Sequence, residues 1–183
     1  MSPALSRRAV LAGGGALVVA FSLRPHLGAA QGVTDAGQLP GSLAKEPMLD
    51  AWIRIDADGA ITVFTGKAEL GQGVKTALIQ LAAKELMVKP EAVRLVTADT
   101  AQTPNEGYTA GSNSIKDSGT AIRHAAAQVR MLLLGEAAKR WLVSPESLRV
   151  DDGAVTADDG RRAGYGELVG NRLLHVRAER NLS

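Results

Sequence analysis

Thr65-Gly66-Lys67-Ala68-Glu69-Leu70-Gly71-Gln72-Gly73-Val74 sets three glycines and a glutamine between a strand-like run and an amphipathic one. Glycine lets the backbone come close to another molecule or take a positive φ. A helix N-terminus carries unpaired N–H donors and a partial positive charge, which favours anionic or electron-rich groups. The Gln72 side chain adds one acceptor and two donors. Binding of a polar cofactor is therefore one reading, and an unliganded strand-to-helix turn is the other. A second polar stretch, Thr109-Ala110-Gly111-Ser112-Asn113-Ser114, also leads towards a helix. Its serines suit either helix capping or contact with a polar ligand.

The remaining chemistry-bearing residues point nowhere specific. Glu69, beside the glycine loop, has the chemistry of a general base, but a glutamate before a turn is more often solvated. Glu106, inside a long polar loop, is expected to be solvated as well. His26, His124 and His175 have no metal-ligand or nucleophile–base spacing. Asp151-Asp152-Gly153 and Asp158-Asp159-Gly160 lack the spacing of a calcium loop and read as turns. No residue is assigned as catalytic or as a metal ligand.

The elements that must position the two loops follow from periodicity. Trp52-Ile53-Arg54-Ile55-Asp56 alternates as a half-buried strand. Turn residues Asp56 to Gly59 join it to a second strand, Ala60 to Thr65. A helix from about Val74 to Met87 has Val74, Ala77, Leu78, Leu81, Ala82 and Leu86 on one face. Pro90 ends it, and Val93 to Thr97 is a third strand. Residues 99–118 hold few apolar side chains, and structureless loops of such length are functional or disordered. A second helix is expected from about Ser118 to Trp141, buried through Ile122, Ala125, Ala126, Val129, Leu132 and Leu133, with Ser114 or Ser118 as cap. Val88-Lys89-Pro90-Glu91-Ala92-Val93-Arg94-Leu95 aligns with Val143-Ser144-Pro145-Glu146-Ser147-Leu148-Arg149-Val150 at an offset of 55 residues. This indicates two helix-to-strand connections of one design, each with proline opening a short helical turn. A hairpin across Ala154 to Ala157 and a short helix at Tyr165 to Val169 complete the expectation: an α+β (or α/β) fold with two main helices on a small sheet.

Composition narrows the function classes. Of 183 residues 45% are hydrophobic and only 3% aromatic, so the core must be aliphatic, and the composition argues against base-stacking platforms. With no cysteine, the chain holds no disulfide, thiolate zinc site or iron–sulfur cluster of its own. Residues 1–30 read as an export signal, with Ser6-Arg7-Arg8 ahead of an apolar stretch and a cut before Gln31. An uncleaved anchor is the alternative there. Three of the 21 basic residues fall in that leader, leaving 18 against 19 acidic ones, a net charge of −1. Nothing in that balance calls for nucleic acid. Residues 31–50 read as a linker and 51–183 as the folded domain.

Taken as an ordered set, these residues resemble the xanthine oxidase family of molybdenum hydroxylases. Within it, the chain is similar to the molybdopterin-binding large subunit of the isoquinoline 1-oxidoreductase type, N-terminal portion. The pattern is Gly66-Lys67-Ala68-Glu69-Leu70-Gly71-Gln72-Gly73 with Thr76, Gln80, Ala83 and Leu86. It continues through Thr100, Thr103-Pro104, Thr109 to Ser114 and Gly119. The resemblance implies that Gly71, Gln72, Gly73, Gly111, Ser112, Asn113 and Ser114 contact a molybdopterin cytosine dinucleotide cofactor. It implies an enzyme that hydroxylates an N-heteroaromatic or aldehyde carbon with oxygen from water. The expected partners are the remaining part of the molybdopterin subunit, a [2Fe-2S] small subunit and a cytochrome c. The twin-arginine leader fits the exported, periplasmic branch.

The same resemblance sets an expectation of incompleteness. The family's large subunits carry a further Gly-Gly-Phe-Gly motif and a late glutamate that acts as general base, and neither stands in these 183 residues. A split subunit, a gene fragment and a truncated gene model all fit that pattern. A non-catalytic exported domain is the alternative from another functional class.

Overall fold

In the computed structural model, the described residues are 38–110, 112–170 and 175–180. The leader, the first part of the segment read as a linker, Gly111, residues 171–174 and the C-terminal tripeptide lie outside them. Strand β1 (Ile53–Ile55) pairs antiparallel with β2 (Ile61–Thr65) through the expected turn at Asp56 to Gly59. After β2 comes the glycine loop, then α1 (Val74–Leu86), then β3 (Val93–Thr97), which lies parallel to β2. β2 and β3 end in register, with Thr65 opposite Thr97. Two long loops therefore leave from one edge of the sheet, at the carboxyl ends of a parallel pair. That is the place where open α/β sheets bind ligands.

Helix α2 (Thr120–Trp141) follows a single π-type turn at Ser114–Gly119. It packs on α1 and touches β1, so Ile122, Ala125, Ala126 and Leu133 are buried as the spacing predicts. Val129 and Leu132 are half-buried against the same core. Alanines on α2 and leucines on α1 share this interface, which suits a chain almost without aromatics. Neither Ser114 nor Ser118 caps α2, and both are buried.

The strands form two sheets rather than one. β4 (Leu148–Asp151), β5 (Ala154–Ala157) and β6 (Arg162–Gly164) make an antiparallel meander, followed by α3 (Tyr165–Val169). The Asp-Asp-Gly triplets are its turns, as expected, with Gly153 and Gly160 at φ 73° and 88°. The offset of 55 is structural. Met87 and Leu142 both take the left-handed conformation, at φ 54° and 56°. Val88 N–H donates to the Ala83 carbonyl at 2.9 Å, and Val143 N–H to that of Ala138 at 3.1 Å. A proline-led 3-10 turn follows each time, Pro90–Ala92 and Pro145–Ser147. One connection thus feeds two different sheets. The buried Tyr165 hydroxyl donates to the Leu86 carbonyl at 2.7 Å, closing the end of α1, and burial pushes its pKa up to about 12.

The described part of the expected linker belongs to the core. Short 3-10 turns at Gly41–Ala44 and Leu49–Ala51 bury Leu43 and Leu49. Residues 176–178 hold this segment down, with Leu49 N–H donating to the Val176 carbonyl at 2.9 Å and Ala178 N–H to that of Pro47 at 2.7 Å. Small residues made the stretch look like a connector, while its few leucines anchor it. Among the described residues, no helix is long and apolar enough to cross a membrane.

Candidate functional site

The loop after β2 and the loop after β3 run together. Ala68 N–H donates to Thr109 Oγ1 at 2.7 Å. The ammonium of Lys67, 1% exposed, donates to the backbone carbonyls of Glu106 at 3.0 Å and Tyr108 at 3.3 Å. Beyond these ties the loops part around an open cavity of about 600 Å³. Leu70, Gln72, Gly73, Val74 and Ala77 line it from one side, and Thr109, Ala110, Ser112, Ser114 and Ile115 from the other. Its size falls within the range of small-molecule and cofactor pockets. Of the residues singled out from sequence, Gln72, Gly73, Ser112 and Ser114 thus share one space. Gly71 and Asn113 are exposed but do not line it, and Gly111 lies outside the described residues.

The glycine loop is built differently from the expected open helix end. Glu69 is half-buried and turns back as a cap. Its Oε1 accepts from Gly71 N–H at 2.7 Å and Gly73 N–H at 3.1 Å, and its Oε2 accepts from Lys75 N–H at 2.9 Å. The chain's own carboxylate therefore satisfies donors that an external anion would otherwise take. Gln72 also folds back, its amide donating to the Ala68 carbonyl at 2.9 Å while its carbonyl accepts from Leu70 N–H. Gly71 and Gly73 sit at φ 93° and 78°, and the space around both is open among the described residues. Their conformation lets the loop wrap its own glutamate, and with no side chain they leave room for close approach from outside.

The amides of Lys75, Gly73 and Gly71 hold the Glu69 carboxyl below its ordinary 4.5. A lowered folded-state pKa means that the stabilisation is complete above the unfolded value and is lost as pH falls through the folded one. We expect NMR titration to give Glu69 a pKa below 4.5, with the Gly71 and Gly73 amides shifting on the same curve. Glu69→Gln should abolish the titration of both amides, and a Glu69 pKa at or above the ordinary value would refute the cap.

Glu106 departs furthest from expectation. It is 5% exposed instead of solvated. Its Oε2 accepts from Thr65 Oγ1 at 2.7 Å, Gly66 N–H at 2.8 Å and Ser118 Oγ at 3.1 Å. The partners lie 41, 40 and 12 residues away, so no local signal could reveal them. His124 is partly buried, and desolvation followed by the Arg123 charge pushes its pKa down. Among the described residues, no group of three or more His, Asp or Glu side chains could hold a metal ion.

The lining of the cavity, among the described residues, is wholly uncharged: an amide, three hydroxyls and glycine backbone stand among the apolar side chains of Leu70, Val74, Ala77, Ala110 and Ile115. Such a set fits a flat, polar heterocycle with many hydrogen-bonding edges. It supplies no positive charge for a phosphate.

Comparison with known proteins agrees with this chemistry. Residues 26–183 match the family described as molybdopterin cofactor-binding domain. A nicotinate dehydrogenase subunit of Pseudomonas putida is 37% identical over 174 residues, covering 93% of this chain and 14% of that protein. The beta subunit of isoquinoline 1-oxidoreductase of Brevundimonas diminuta is 35% identical over 175 residues, covering 90% of this chain and 22% of the relative. The chain thus spans less than a quarter of these relatives. Quinoline 2-oxidoreductase from Pseudomonas putida 86 superposes with a TM-score of 0.54 at 31% identity, over 64% of this chain and 15% of that one. CO dehydrogenase from Oligotropha carboxidovorans does so with a TM-score of 0.57 at 25% identity and the same coverage. Two facing loops at the carboxyl ends of β2 and β3, an uncharged cavity between them and a match along nearly the whole sequence lead to one conclusion: this chain belongs to the molybdopterin cofactor-binding domains of the xanthine oxidase family of molybdenum hydroxylases.

Proposed function

We propose that this chain forms one wall of the molybdopterin site in a molybdenum hydroxylase acting on an N-heteroaromatic or aldehyde carbon. The observation that carries the proposal is the cavity in which Gln72 and Gly73 face Ser112 and Ser114. Gln72 offers the cofactor an amide once its tie to Ala68 is exchanged. The serine hydroxyls would hold the pterin from the other wall, and Gly71 with Gly73 would let the backbone come close. When bound, the cofactor supplies the redox centre at which oxygen from water is transferred to the substrate carbon. This chain's own residues bind and orient. Glu69 and Glu106 are engaged by backbone amides and hydroxyls, so neither serves as the base, and that role falls to another segment or chain.

The relatives named for nicotinate, isoquinoline and quinoline support the N-heteroaromatic class, and a rat aldehyde oxidase, 39% identical over 75 residues, supports the aldehyde class. The cytosine dinucleotide form of the cofactor belongs to the same proposal. So do a molybdopterin-subunit remainder, a [2Fe-2S] small subunit and a cytochrome c as partners. Export to the periplasm rests on Ser6-Arg7-Arg8 and the apolar stretch behind it.

The test is molybdenum per chain in the native assembly. Gln72→Ala with Ser112→Ala removes two hydrogen bonds worth about 1 kcal/mol each, so cofactor affinity should fall about thirtyfold. A wild-type assembly without molybdenum would overturn the proposal. A double variant with full molybdenum would favour a domain that folds and docks without touching the cofactor.

A further inference from the structure

The buried carboxylate of Glu106 stands where three segments meet. Thr65 is the last residue of β2, Gly66 the first of the glycine loop, and Ser118 belongs to the π-type turn before α2. One oxygen, Oε2, accepts a hydrogen bond from each of them. The Thr65 and Ser118 hydroxyls are themselves 2.7 Å apart and fully buried. Lys67 brackets the cluster by donating to the Glu106 and Tyr108 carbonyls. The other carboxylate oxygen, Oε1, is buried and has no hydrogen-bond partner among the described residues.

Resting on the site proposed above, we infer that Glu106 is a positioning residue that sets the separation of the two cofactor-facing loops. Ser118 and Ser114 are four residues apart within the one π-type turn Ser114–Gly119. Fixing Ser118 against Glu106 therefore fixes where Ser114 enters the cavity. The bonds from Thr65 and Gly66 to the same oxygen fix where the glycine loop begins its path to Gln72. One side chain thus sets both walls without lining the cavity itself. The π-type turn is part of the device. Single π turns inside helices recur at functional sites, and here one turn carries both Ser114 and Ser118. A carboxylate suits the task because one oxygen can accept several donors in a fixed plane.

The test is amide hydrogen exchange on the full chain, with molybdenum per chain in the native assembly as a second readout. Glu106→Ala should speed exchange at least about tenfold in both loops, residues 66–74 and 112–118, while β4 to β6 change less than about twofold. Glu106→Gln keeps one planar acceptor oxygen and should restore loop protection and molybdenum to within about twofold of wild type. Ser118→Ala leaves most of the cluster intact and serves if Glu106→Ala does not fold; it should loosen residues 112–118 without loosening β4 to β6. Uniformly faster exchange, unaltered loops, or a Gln variant no better than Ala would overturn the inference. If the wild-type assembly lacks molybdenum, the cofactor reading fails while the exchange pattern still decides the role of Glu106.

Discussion

Trp52→Ala should lower the unfolding free energy by about 3–5 kcal/mol, the range for removing a large aromatic from a core. Trp52 is 0% exposed and lies among the largest fully buried side chains of the described residues. Its indole N–H donates to the Glu46 carbonyl at 2.9 Å, and its own carbonyl accepts from Phe64 N–H at 2.8 Å. Trp52 thus joins the segment before β1, through its ring, to the first sheet, through its main chain, in a core made mostly of aliphatic side chains and alanines. Small side chains cannot reach inwards to refill the space, so the cavity persists. Against a typical total of about 5–15 kcal/mol, the loss takes a large share of the stability. Urea unfolding followed by far-ultraviolet circular dichroism measures it. Trp52→Phe retains much of the volume but strands the Glu46 carbonyl, and should cost about 1–3 kcal/mol. A Trp52→Ala variant within about 1 kcal/mol of wild type, on that same scale, would mean that the core closes over the gap.

Much of the architecture was legible because it is encoded locally. Alternation at Ile53 to Ile55, the 3.6-residue rhythm from Val74 to Leu86 and the proline after each main helix are short-range signals, and each element appears where they indicate. The equivalence of Val88 to Leu95 with Val143 to Val150 was readable in the same way. What escaped was decided by contacts across the chain. Nothing in Pro104-Asn105-Glu106-Gly107 marks Glu106 for burial, because its partners come from β2 and from the turn before α2. Lys67 carries no local mark either: it is buried only because the second loop brings two carbonyls to its ammonium. Glu69 caps from four residues before the N-cap Gly73, outside the usual capping-box spacing, so no standard local signature marks it. The second sheet was hidden because strand periodicity does not say which strands pair. The pairing of the two loops, and hence the site, emerged from their resemblance to a family rather than from spacing.

Gly66→Ala should do more to the site than to the fold. At Gly66 the first loop runs close against the second. A Cβ there would lie 2.3 Å from the Pro104 carbonyl oxygen and 3.2 Å from the Glu106 amide nitrogen. Both are backbone atoms, so no rotamer change can relieve the clash. The two loops must move apart by about 1 Å to reach an ordinary contact distance. Gly66 N–H donates to Glu106 Oε2 at 2.8 Å, and that movement stretches the bond beyond useful length. The carboxylate then loses part of its shell in a buried place, where a partly satisfied charge is costly. Crowding of this kind costs about 1–3 kcal/mol, and the upper end is expected here. Because β2 and β3 end in register beside this contact, the displacement is passed on to both walls of the cavity. Molybdenum per chain in the native assembly should therefore fall further than stability alone accounts for. Gly135→Ala is the control. Gly135 lies within α2, nothing among the described residues stands within 4 Å of the added methyl group, and the helix should gain up to about 1 kcal/mol. If both variants hold molybdenum alike, the contact at Gly66 has no part in shaping the site.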